Sequence, residues 1–230
     1  MIAQSTRDAC LRAFLSLVEE RGFERVSFAD VATRAGVPLS QMRVAYASLF
    51  DLVLAFSHSI DRAVLARGEE SDPGEGDEDE LNPESPRERL FEVLMRRFDA
   101  LEPHKGAVAA LLKSSRCHPV LAGILLKAAI SSQRWMLAAA GVASTGLKGD
   151  MRARGLALVY ARVVQVWLRD EGPGLDRTMA ALDLELRRGA KALDMLDDLA
   201  FIALPWRTRR ANAGSDQTAA HCARSSASSP

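Results

Sequence analysis

This chain has no excess of charge of either sign, few cysteines, few helix breakers and no long apolar run. Each absence narrows what it can be. Thirty basic and thirty acidic residues cancel, so no global basic field draws in nucleic acid. Cys10, Cys117 and Cys222 are odd in number and widely spaced. They match no metal spacing and fit reduced thiols in a cytoplasmic protein, with Cys10 and Cys117 expected as small buried hydrophobes. The N-terminus lacks a charged-then-apolar signal layout, and no apolar run reaches the ~18 residues of a membrane span. A soluble, cytoplasmic protein is expected. There is no Gly-rich phosphate loop, no HExxH and no nucleophile elbow. His58, His104, His118 and His221 are scattered, and Asp197 and Asp198 are adjacent, so on a helix they point apart. Neither an enzyme nor a bound cofactor or metal is expected.

What the chain has is helical pattern. Hydrophobic residues make up 48% of the 230, against 15 glycines and 9 prolines, and β-branched runs are few. The expected fold is all-α. A first helix, Thr6 to Arg21, places Ala9, Cys10, Ala13, Leu17 and Val18 on one stripe with Phe14 beside it. Gly22 ends it, and Phe23 is expected to plug a small core.

Ser27 to Tyr46 carries the most specific signal. Ser27 and Asp30 have the spacing of a capping box. Phe28, Val31 and Ala32 recur at helical spacing, which predicts one buried face. Gly36 tolerates the positive φ of a helix end, Val37 packs back, and Pro38 opens a second short helix. Met42, Ala45 and Tyr46 are expected on its buried side. Two short helices joined this way form a helix-turn-helix, whose second helix can lie in a DNA major groove.

The Phe28 to Val37 run, Glu20 to Phe23 upstream and Leu52 downstream resemble the N-terminal domain of TetR-family transcriptional regulators. The resemblance covers about residues 6–65. It implies a three-helix helix-turn-helix head on a C-terminal helical bundle, a homodimer, and a cavity for a small apolar effector. The DNA-binding residues it suggests are Ser27, Pro38, Leu39, Ser40, Gln41, Arg43, Val44 and Tyr46. Gln41 could pair with adenine and Arg43 with guanine, and Arg25 or Arg34 could reach phosphate. The sequence departs from the family at Arg43, where an aromatic is usual, at Tyr46, where Phe or another apolar residue is usual, and at Leu49, where Lys is usual. From Met1 to Ala66 there are seven Arg, no Lys and seven acids. The head is therefore neutral, which argues for weak non-specific DNA attraction.

The expected organisation is a head over 1–47, a linking helix over 48–67, an acidic flexible linker over 68–86, a helical ligand-binding and dimerisation domain over 87–204, and a disordered tail over 205–230. On the linking helix Phe50, Leu54, Ser57, Asp61 and Val64 share one face. The linker carries nine acids and no base, too polar to repay ordering. In the body, Arg87 to Leu101 leaves Arg89, Arg96 and Arg97 available outside. Further helices are predicted over Gly106–Ser115, His118–Ala140 and Met151–Arg169, with a loop over Gly141–Gly149, and over Asp176–Leu199. The last two long helices have the form of a four-helix dimer interface. Phe98, Trp135, Met136, Tyr160, Val163 and Trp167 are expected either as plain core or as the lining of the effector cavity.

A second, more distant resemblance is to the ubiquinone-biosynthesis accessory proteins of this fold, through RLFEVLMRRFDAL and Ser132 to Trp135. It implies an isoprenoid or quinone lipid in the body. The membrane contact would run through 200–210, where Trp206 stands beside Arg207, Arg209 and Arg210.

Overall fold

The computed structural model describes residues 4–70, 85–143, 145–172 and 174–203, all helices and short connections, with no strand among them. They fall into two compact units, 1–186 and 187–230. The second is described only as helix to Ala203.

Three helices, the second and third short, build the head. Helix α1, Gln4–Arg21, buries Cys10, Phe14, Leu17 and Val18. It ends at Gly22, whose φ of 81° is a left-handed value that a side chain would resist. A single 3-10 turn, Phe23–Arg25, then drives the Phe23 ring into the core. That ring meets Phe14 edge-on with centroids 6.3 Å apart and stacks on Phe50 at 5.5 Å. Helix α2, Phe28–Ala35, opens on the capping box: the Asp30 N–H donates to Ser27 Oγ, and the Ser27 N–H donates to Asp30 Oδ2. It closes on Gly36 at φ 66°, and the Val37 N–H donates to the Ala32 carbonyl at 3.0 Å. This is the αL stop that the sequence calls for. Helix α3, Leu39–Ala45, follows at once.

The body consists of α4, Leu49–Glu70; α5, Pro86–Leu101; α6, Lys105–Ser115; α7, Pro119–Ala139; α8, Gly146–Trp167; and α9, Asp176–Ala203. Ser48 and Asp51 cap α4 reciprocally, and Ser85 and Glu88 do the same for α5, which has Pro86 in its first turn. Helix α4 runs on to Glu70, beyond the expected end at Arg67. Helix α8 begins at Gly146, inside the expected loop. Glycines 146 and 149 read as breakers, yet one Gly costs a helix only ~1 kcal/mol, and buried Gly149 lies within the packed turn. Helix α9 passes Leu199 to reach Ala203. Most of the expected acidic linker, 71–84, and the expected tail, 205–230, lie outside the described residues.

Head and body share one continuous core, from Phe14 and Val31 through Leu52 and Phe56 to Phe98, Trp167 and Leu182. Helix α6 also clasps the head by a polar pin. Ser114 Oγ accepts the Phe23 N–H at 3.3 Å and donates to Glu24 Oε2 at 2.9 Å.

Four sequence expectations are corrected. Phe28 is 37% exposed rather than buried, because it sits at the first turn of α2 with Val31 and Ala32 taking the core side. Cys117 is exposed, in the turn before α7. Arg34 is not held toward a phosphate: its guanidinium forks onto Glu20 at 2.6 and 2.8 Å. Arg97 does not face outward. It is buried and ion-paired to buried Asp61 of α4.

Candidate nucleic-acid interface and ligand cavity

Helix α3 is divided cleanly. Met42 is fully buried and Ala45 is half-buried. Leu39, Ser40, Gln41, Arg43 and Val44 are all exposed, Val44 to 77%. A seven-residue helix keeps such a row only if its other side is pinned, and here the Gly36 turn and Met42 do the pinning. Ser27 and Pro38 are exposed at the starts of α2 and α3. Tyr46 does not belong to this row. It is buried at the end of α3, and its hydroxyl donates to the Arg7 carbonyl at 3.3 Å. Burial raises its pKa, so the phenol stays neutral. The aromatic ring is worth more to the core here than to any ligand. Arg21 lies 3.6 Å from Asp30 and Arg34 is held by Glu20. Two of the head's arginines are thereby committed within it. Glu20, hydrogen-bonded by Arg34 and also by Ser16, has its carboxyl lowered to about 2.

A cavity of about 310 Å³ lies in the body, at the lower end of the range for small-molecule sites. Its walls come from α4 (Val53, Phe56, Ser57, Ile60), α5 (Arg97, Leu101), α6 (Val108, Leu111, Leu112, Ser115), α7 (Ala122, Leu125, Leu126, Ala128, Ala129) and α8 (Ala157, Leu158, Tyr160, Ala161, Val164, Gln165). Leu126 and Leu158 are more than half exposed, so the opening lies between α7 and α8.

Of the residues expected to line it, only Tyr160 does. Phe98, Met136, Val163 and Trp167 are wholly buried beside it as core. Phe98 stacks on Tyr160 with centroids 5.0 Å apart, and Trp167 Nε1 donates to Glu102 Oε2 at 2.7 Å. Trp135 is 56% exposed on the outer side of α7. Size and hydrophobicity marked these side chains, but the largest ones fill space. The actual lining is mostly Ala, Leu and Val, because a void survives where side chains are too small to meet.

One polar cluster interrupts the apolar wall. Arg97 Nη1 and Ser132 Oγ both donate to Asp61 Oδ1, and the Arg97 guanidinium lies 5.5 Å from the Tyr160 ring centroid. Burial opposes charge on Arg97, but the neighbouring Tyr160 and Asp61 outweigh it and its pKa is raised. Burial raises Tyr160 as well, so the cluster presents a fixed cation and a neutral phenol. Sequence reasoning placed Asp61 on an apolar face of α4 without asking what could neutralise it there. That charge in an apolar stripe was the available signal, since a buried carboxylate requires a partner. Among the described residues no cluster of His, Cys, Asp or Glu could hold a metal, and no helix is long and apolar enough to cross a membrane.

No protein-family model matches this sequence, and no curated protein matches it. Solved structures do. A TetR transcriptional regulator from Nitrosomonas europaea superposes with a TM-score of 0.60 at 21% identity, over 80% of this chain and 97% of that one. The fold is TetR-like. A second TetR transcriptional regulator, from a Rhodococcus species, superposes with a TM-score of 0.52 at 24% identity, over 80% and 96% of the two chains. The TetR-like fold thus extends through the body, well beyond the motif that first suggested it.

Proposed function

We propose that this chain is a DNA-binding transcriptional regulator that works as a homodimer and responds to a small apolar effector. The observation that carries the reading is the exposed row on α3 held by a buried reverse side. Leu39, Ser40, Gln41, Arg43 and Val44 are assigned to base edges, with Gln41 suited to adenine and Arg43 to guanine. Ser27 and Pro38 are assigned to the flanking backbone.

The cavity supplies the response. Its walls include α4, which follows directly from α3, and α6, whose Ser114 pins the turn before α2. A ligand that spreads these walls displaces the head through two attachments. Such a ligand regulates only if it binds the two arrangements with different affinity. Pairing of copies is assigned to α8 and α9, where Leu147, Met151, Leu158 and Leu184 stand exposed.

The test is fluorescence anisotropy of the full chain on duplexes enriched from a random library. Salt-sensitive binding that weakens with Arg43→Ala is expected. No enrichment, or binding indifferent to both salt and Arg43, would refute the reading. Nothing described favours the lipid-accessory alternative: its 200–210 segment lies, beyond Ala203, outside the described residues.

A further inference from the structure

Two buried polar atoms of the cavity wall, on Arg97 and Tyr160, stand without a well-formed partner. Asp61 Oδ1 already accepts from Arg97 and Ser132. Arg97 Nε and the Tyr160 hydroxyl are both buried and have no well-formed hydrogen bond. The guanidinium interacts with the phenol oxygen, but the phenol's own proton has no acceptor. Both residues belong to the cavity wall and are at least nine-tenths buried. Unmet buried donors are costly, and this pair lies side by side in a mostly apolar pocket.

We propose that the cavity selects a neutral apolar molecule carrying one carbonyl-type acceptor, whose oxygen takes the free donors of Arg97 and Tyr160. This rests on the cavity being the effector site. Charge balance chooses the neutral acceptor. Arg97 and Asp61 already cancel, so a carboxylate would be buried beside Asp61 with no counter-charge, at high cost. An ammonium would face the donors of a guanidinium. A pure hydrocarbon fills the volume and leaves both donors unmet. The acceptor thereby touches the guanidinium that ties α5 to α4 through Asp61 without displacing that contact, which uses Nη1.

The experiment compares naphthalene, acetylnaphthalene and naphthoate, equal in ring size, by titration calorimetry on the full chain. Acetylnaphthalene is expected to bind at least about tenfold tighter than either of the others, the scale set by satisfying a buried donor. Tyr160→Phe removes one donor and an unpaired hydroxyl. It is expected to cut the ketone preference over naphthalene to within about threefold, with an unchanged circular dichroism spectrum and unfolding midpoint reporting an intact fold. Equal binding of ketone and hydrocarbon, tighter binding of naphthoate, or an undiminished preference in Tyr160→Phe would overturn the proposal and leave the effector site standing. Failure of all three to bind the native chain removes the cavity reading itself, and this proposal with it.

Discussion

The Arg97–Asp61 pair offers the sharpest test of how the body is held. Both side chains are less than a tenth exposed. Arg97→Met keeps the apolar stem in the cavity wall but strands a carboxylate whose remaining donor is the Ser132 hydroxyl. Breaking a buried pair from one side costs roughly 3–5 kcal/mol, whereas removing both charges is near neutral, because desolvation of the two ions offsets much of their attraction. Arg97→Met alone is therefore expected to lose about 3–5 kcal/mol, a large share of the roughly 5–15 kcal/mol of a typical domain. Adding Asp61→Asn, which is uncharged and can still accept from Ser132, is expected to restore at least about 2 kcal/mol of that loss. Urea unfolding followed by circular dichroism at neutral pH, on the four proteins of the cycle, measures both values. A single variant that loses under about 1 kcal/mol, or a double variant no more stable than the single, would show that the pair is not desolvated as its burial implies.

Other consequences are checked more simply. Glu20 has its carboxyl depressed by the Arg34 hydrogen bonds, so the pair's contribution is present above the ordinary carboxylate range and is lost as pH falls through about 2. In Arg34→Ala, nuclear magnetic resonance titration of Glu20 is expected to show a midpoint returned toward about 4.3. Gly36→Ala forces a side chain into the left-handed region, with no steric contact around it. A loss of about 1–2 kcal/mol is expected, and Gly36→Asn should cost less. With Arg21 and Arg34 engaged and Arg43 assigned to a base edge, Arg7, Arg12 and Arg25 remain as candidate phosphate partners in each head. Two heads would then give a salt slope no steeper than about −5 in log affinity against log salt. Leu158→Asp is expected to yield monomers by sedimentation, if α8 pairs as proposed.

Local chemistry made the head legible. Ser27 and Asp30, Gly36 and Pro38 act on backbone groups a few residues away, so their roles can be read from spacing alone. The amphipathic repeats of the body gave its helices for the same reason, with errors confined to ends such as Gly146. Side-chain direction was harder. Tyr46 is buried as its spacing predicts, which removes it from the DNA-facing row, but Phe28 is exposed because the geometry of the first turn of α2, invisible in the pattern, gives the core side to Val31 and Ala32.

The alternation of apolar and polar residues, with its caps and glycine stops, by itself determined an all-helical chain headed by a helix-turn-helix, since those effects reach no further than one helical turn. Only the packed structure decided that Arg97 meets Asp61 across 36 positions, that Ser114 fastens the head to α6, and that the cavity opens among small side chains rather than large aromatics. Such pairings depend on how helices distant in sequence come together, and nothing within a single helix encodes which one its neighbour will be.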